Sequence, residues 1–254
     1  MSGKFEKKKA EKSKILPALI AVAAVLLVAV CFFLRKEHDV PEDLRENQTI
    51  LTEQAEQTAQ AEFTEPPRIS LKNDMEILDI GAYTGIYMED GTDEVVSGVL
   101  MMKLVNNGQD TVEYAKITMD IGEETAEFTV STLKPGDTIV LLEKNRMAYD
   151  KTVDYSGAQI VCENLALFQE PLSLHEDKLT IQILDGAINV INVSNQDIPG
   201  RISIYYKNKA AGIYYGGITY RITLENGLKA NEIRQVMASH FSDTGSEIVF
   251  VTIN

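Results

Sequence analysis

The sequence predicts a mainly β protein: an N-terminal single transmembrane helix, an acidic stalk, then two antiparallel β-sandwich domains. Three observations carry this. Ile15 to Leu34 is an uncharged run of 20 residues, a Pro-bounded acidic stretch follows it, and from residue 69 onward apolar residues recur at period two between closely spaced turn signals. The boundaries that follow are a basic cytoplasmic tail at 1–14, the transmembrane helix at 15–34, the stalk at 35–68, and β domains at 69–170 and 171–254.

At 254 residues, 44% of them hydrophobic, the chain is long enough for two cores of about 100 residues each. The net charge of −14 argues against a nucleic-acid binder, which needs a basic face to meet phosphates. That charge is uneven. Residues 1–36 hold eight basic and two acidic side chains, 37–68 hold two and nine, 69–170 hold seven and 19, and 171–254 hold seven and eight.

The run ILPALIAVAAVLLVAVCFFL matches a hydrocarbon core of about 30 Å at about 1.5 Å per helical residue. Pro17 falls in the first turn, where its missing N–H costs no hydrogen bond. Six lysines precede the run and only Arg35, Lys36 and Arg45 follow closely, so the positive-inside rule puts the N-terminus in the cytoplasm and all that follows Leu34 outside. A cleaved signal peptide fits less well, because the run is long and ends in Cys-Phe-Phe-Leu-Arg-Lys without a small-x-small site. Val30 before Cys31 argues against a lipidated cysteine. With Cys31 in the membrane and Cys162 in a strand-like run, the chain offers no intramolecular disulfide.

The stalk contains Pro41, Pro66 and Pro67 and a Glu-, Gln-, Ala- and Thr-rich stretch without a core-forming face. It reads as a solvated spacer.

Predicted strands in the first β domain are 75–83, 95–105, 111–121, 126–131, 138–143 and 158–168; in the second they are 178–184, 187–193, 200–207, 213–224 and 247–253. Asn106-Asn-Gly, Gly122 and Pro135-Gly136 are among the turn signals between them. Residues 231–240 start on a capping residue and lack strict alternation, which favours a helical turn over a strand.

The two domains read as copies. Leu104-Val-Asn-Asn-Gly-Gln-Asp-Thr-Val resembles Asn192-Val-Ser-Asn-Gln-Asp-Ile, Thr132-Leu-Lys-Pro-Gly-Asp corresponds to Gly227-Leu-Lys-Ala-Asn-Glu, and Ile160–Phe168 matches Glu247–Ile253. At these residues the chain resembles the immunoglobulin-like, FxLYD-type domains of bacterial cell-envelope proteins, although the eponymous Phe-x-Leu-Tyr-Asp run is absent. The resemblance implies an extracytoplasmic immunoglobulin-like sandwich in each copy and transfers no catalytic or binding residue.

Candidate chemistry is sparse, and no catalytic residue is assigned. Ser239-His240-Phe241-Ser242-Asp243 gathers Ser, His and Asp, but sequence neighbours seldom form a triad and no Gly-x-Ser-x-Gly elbow accompanies them. No zinc pattern is present. Glu89, Asp90, Asp93 and Glu94 are hard oxygen ligands suited to calcium, but their spacing is not that of an EF-hand and a solvated hairpin loop is the expectation. No cofactor is expected. Period two turns Ile202, Ile204, Tyr206, Tyr214, Ile218, Tyr220 and Ile222 inward and leaves Tyr205, Tyr215 and Arg221 outward as a candidate binding surface, with cross-strand packing as the ordinary alternative. Gly216-Gly217 marks a bulge or a close backbone approach.

These features point to a non-enzymatic, single-pass protein of the bacterial cell membrane. It would touch lipid through Ile15–Leu34 and bind or scaffold another envelope protein or wall component with its extracytoplasmic domains. The alternatives are an envelope hydrolase using converging carboxylates, and a regulator or assembly factor acting through a membrane partner.

Overall fold

The computed structural model describes residues 68–254. The predicted basic tail, the membrane segment Ile15–Leu34 and all of the stalk but Arg68 lie outside the described residues. Among the described residues, no helix is long and apolar enough to cross a membrane.

The fold is mainly β. Its first half comprises β1 (Ile69–Ser70), β2 (Met75–Ile86), β3 (Val95–Asn106), β4 (Val112–Ile121), β5 (Glu124–Leu133), β6 (Thr138–Leu142) and β7 (Gln159–Leu167). The second comprises β8 (Leu179–Leu184), β9 (Ala187–Asn192), β10 (Ile202–Ala210), β11 (Ile213–Leu224), β12 (Ile233–Met237) and β13 (Ser246–Ile253). Alternation of apolar and polar side chains explains these strands. Ile117 and Met119 of β4, and Ala126, Phe128 and Val130 of β5, are fully buried at every second position.

Residues 231–240, expected as a helical turn, form β12 instead. It pairs antiparallel with β9 from Ile233↔Ile191 to Met237↔Ala187. The alternation is present but disguised: Ile233 and Met237 sit on the exposed side, while Arg234 shares the inner side with Val236 and pairs there with Glu232. Apolar residues outside and an arginine inside hide a period of two.

Both halves place their strands in the same way. Within the first, β2-β3-β6 faces β5-β4-β7; within the second, β8-β9-β12 faces β11-β10-β13. The hydrogen bonds repeat with the strands. Asn106 ends β3 fully buried, donating Nδ2–H to the carbonyls of Asp110 and Leu133 (both 2.9 Å) while its Oδ1 accepts from Gly108 N (3.0 Å). Asn192 ends β9 likewise, donating to Gln196 O (2.8 Å), Leu228 O (3.3 Å) and Lys229 O (2.9 Å) and accepting from Ser194 N (2.9 Å).

The turns that follow also match. Lys134 N donates to the Asp137 carboxylate as Lys229 N does to that of Glu232, and the carbonyls of Asp137 and Glu232 accept from Asn106 N and Asn192 N. A buried asparagine that ties a turn to the next strand is costly to leave unpaired, and each copy satisfies it in the same way.

The two sandwiches share one sheet. β6 pairs parallel with β11 through Ile139↔Tyr214 and Val140↔Tyr215, fusing β1-β2-β3-β6 to β11-β10-β13 as a seven-stranded sheet. The first core extends across this junction, since Tyr214, Val249 and Phe250 are buried in the same cluster as Ile77, Leu104, Ile117 and Phe128. A second cluster around Ile204 and Tyr206 forms the core of the other sandwich.

Candidate functional site

The junction between the sandwiches holds a fully buried lysine among partly buried polar side chains. Beyond Tyr206↔Tyr220 and before Asn208↔Tyr215, the single residue Lys207 of β10 faces Gly216–Thr219 of β11. Such a bulge frees backbone groups from the ladder, and buried carbonyls need donors. Lys207 supplies them. Its side chain is fully buried, and Nζ donates to the carbonyls of Ile218 (3.0 Å) and Gly217 (3.4 Å), to Thr219 Oγ1 (3.4 Å) and, across the junction, to Ser131 O of β5 (2.8 Å). Burial pulls its pKa down to about 7, and the charges of Glu89 and Asp137 oppose that fall.

Glu89 serves the amides. Its carboxylate accepts from Gly217 N (2.8 Å) and from Leu142 N (3.0 Å), bridging β11 and β6 just past their two paired positions. Burial pushes Glu89 up from the ordinary carboxylate range, against the pull of these two amides and of Lys207. The acid and the lysine thus cap opposite ends of one bulge. Ser131 Oγ completes the seam by hydrogen bonding to Gly217 O (2.8 Å) and Thr219 Oγ1 (2.9 Å).

Gly216 and Gly217 are required by this closeness. A Cβ on Gly217 would lie 1.8 Å from Thr129 O, and one on Gly216, whose φ is +82°, would lie 2.8 Å from Met88 Cβ. Beside the seam, Tyr214 OH donates to Glu247 (3.0 Å), which also pairs with Lys209, and burial raises the Tyr214 pKa well above its usual value.

The residues singled out from the sequence are brought together only in part, Tyr205 with Arg221 and Tyr215 apart. Tyr205 does leave the core of its own sandwich, but it is half-buried against the first core and stacks on Phe250 with ring centroids 4.1 Å apart. Tyr215 packs into a different cluster, with Tyr83, Tyr87 and Val140. Arg221 is the direct cross-strand partner of Tyr205 and is exposed. The three therefore form no single patch.

The four acids of the β2–β3 loop also part company. Glu89 turns into the seam, Asp90 and Glu94 pair with Arg146 (2.7 and 2.5 Å), and Asp93 Oδ2 meets His240 Nδ1 (2.7 Å). Arg146 lies over the Tyr87 ring, 4.6 Å from its centroid. Among the described residues, no group of three His, Cys, Asp or Glu side chains is placed to hold a metal ion.

In the Ser239–Asp243 run, His240 stacks on Tyr220 and bonds Asp93, Ser242 Oγ accepts from Gly245 N, and Asp243 accepts from Gly186 N. Ser239 offers its carbonyl to Tyr206 OH. The Ser, His and Asp of this run thus have different partners.

Nothing local in the sequence joins Lys207 to Glu89. The one available signal was Lys207 ending an alternating apolar run, and that is equally the mark of an exposed strand end. The seam's chemistry is cohesive: its ammonium, carboxylate and hydroxyl groups are spent on backbone atoms of both sandwiches. A groove of about 380 Å³ lies elsewhere, between β8 and β13, lined by Leu174, Glu176, Thr180, Ile181, Ile183 and Ile248 among others.

Fold and seam together define a protein of two β-sandwiches fused through one sheet. No protein-family model matches the chain, and no curated protein or solved structure matches it.

Proposed function

We propose that this chain is a non-enzymatic, single-pass membrane protein that displays two immunoglobulin-like, FxLYD-type sandwiches outside the cell as one binding or scaffolding unit. Its partner is another envelope protein or a wall component. The observation that carries the reading is the seam. Lys207, Glu89 and Ser131 tie two sandwiches into one sheet by hydrogen bonds to backbone atoms across the joint, an arrangement that supports holding surfaces at a fixed spacing and engages these groups in cohesion. The lysine-rich N-terminus and the apolar run Ile15–Leu34 support the anchor and its orientation.

Two measurements test this. Protease added to intact, wall-stripped cells should remove the C-terminal β region, and protection of that region would overturn the orientation. Photo-crosslinkers placed on exposed positions such as Arg221 and Ile233 should capture a defined envelope partner or wall fragment in growing cells. Turnover of a wall polymer by the purified full chain would overturn the non-enzymatic reading.

A further inference from the structure

The first sandwich closes its own sheet edge. β1 adds antiparallel to β2 with Ile69 opposite Ile77 and Ser70 opposite Glu76, and Ile69 packs on the core. The two buried asparagines fix the corresponding position in the second sandwich. Met75 pairs with Asn106 and Leu179 pairs with Asn192, so Glu76 and Ile77 correspond to Thr180 and Ile181. There the chain takes another path: the lead-in to β8 crosses to the facing sheet, where Ser173 O accepts from Val251 N of β13 (2.8 Å). β8 is left as an edge, and the place that β1 fills in the first sandwich is the groove of about 380 Å³ along Thr180, Ile181 and Ile183.

The strand itself carries no guard against pairing, and the one charged residue beside the groove is Glu176 of its lead-in. Leu179-Thr-Ile-Gln-Ile-Leu184 has no charge, proline or glycine, the usual devices against edge pairing, and Ile183 and Leu184 are 37% and 48% exposed. It is also complementary to itself. Directly opposed residues of an antiparallel pair share a face, so pairing about Ile181 sets Leu179 against Ile183 of a second copy and Thr180 against Gln182 of that copy. Leu179, Ile181 and Ile183 then form a continuous apolar row on one face, and Thr180 and Gln182 are set opposite each other on the other. Charge permits the approach: residues 171–254 carry seven basic and eight acidic side chains, whereas 69–170 carry seven and 19.

We propose that two copies of this chain associate through antiparallel pairing of their β8 strands, each filling the other's groove as β1 fills its counterpart in the first sandwich. This goes beyond the scaffolding role and does not rest on it. The test uses the full chain in detergent with Cys31→Ser. Sedimentation should show a concentration-dependent dimer, which Ile183→Lys weakens at least tenfold while Ile233→Lys, on the exposed face of β12, leaves it unchanged. Thermal melts check that both variants fold. Mixing Thr180→Cys with Gln182→Cys chains should give a mixed disulfide in higher yield than either variant alone. The proposal is overturned by a chain that stays monomeric as concentration rises, by a dimer indifferent to Ile183→Lys, or by an edge that crosslinks in cells only to a different protein.

Discussion

Lys207 donates its Nζ hydrogen to the carbonyl of Ser131 at 2.8 Å, so that a lysine of the second sandwich completes the hydrogen bonding of a strand in the first. The same nitrogen serves the bulge of β11. Loss of this one side chain leaves carbonyls on both sides of the junction without a donor and Glu89 without its nearby positive charge.

Lys207→Met should therefore destabilise the protein by about 2–6 kcal/mol, since it leaves the carbonyls of Ser131 and Ile218 without this donor at about 1–3 kcal/mol each. Urea unfolding followed by tyrosine fluorescence measures this. A loss below about 1 kcal/mol would mean that the seam tolerates an apolar side chain of similar length.

The pH dependence has a definite sign. Lys207 titrates near 10.5 when unfolded and at about 7 when folded. Between these values the unfolded chain binds more protons, so stability rises with pH, by up to about 1.4 kcal/mol per unit from this group. Below about pH 7 both states are protonated and the gain is absent. Melts of wild type and Lys207→Met from pH 6 to 9, as sampled in about one-unit steps, should diverge through this window, the wild type gaining relative to the variant.

Asn106→Ala and Asn192→Ala should each cost about 2–4 kcal/mol, because each strips donors from buried carbonyls and an acceptor from a turn amide. The two residues share no partner, so the double variant should lose close to the sum. Asp substitution at either position should be no better, since an ionised carboxylate cannot donate. Chemical denaturation of the five variants reads out both expectations.

Gly217→Ala should be poorly tolerated, its new Cβ falling on Thr129 O. Gly212→Ala provides the contrast: its φ of +81° is unfavourable for alanine, but a Cβ there meets nothing within 4 Å. The expected costs are more than about 3 kcal/mol for the first and about 1 kcal/mol for the second. Comparable melting temperatures for the two variants would contradict the close contact between β5 and β11.

Calcium at about 1 mM, a concentration that fills weak extracellular sites, should leave the melting temperature unchanged. Glu89, Asp90, Asp93 and Glu94 are engaged with the seam, Arg146 and His240, and drawing them together would break those contacts. A calcium-dependent upward shift would show that the loop can rearrange to bind the ion.

Much of the β character was legible because burial on one face of a strand writes itself as alternation. Ile202, Ile204 and Tyr206 are inward as that pattern requires. The legible part ended where tertiary contacts overrode the pattern. In β12 an inward arginine and outward Ile233 and Met237 imitate an aperiodic segment. Tyr205 obeys the alternation, yet the face it turns to carries its cross-strand partner Phe250 and the first core rather than water. The pairing of β6 with β11, about 75 residues apart, carries no local signature at all.

That pairing rests on only two residue positions, Ile139 and Val140 against Tyr214 and Tyr215. The rest of the joint is side-chain contact, the shared core around Tyr214 and Phe250 and the seam, and two free sandwiches would have to find it by diffusion against the entropy of association. Carried on one polypeptide, each meets the other at a high effective concentration, and the seam of Lys207 and Glu89 needs only to hold what tethering has already brought together. Carrying both sandwiches on one chain thus lets a sheet joined at only two ladder positions form without a bimolecular step.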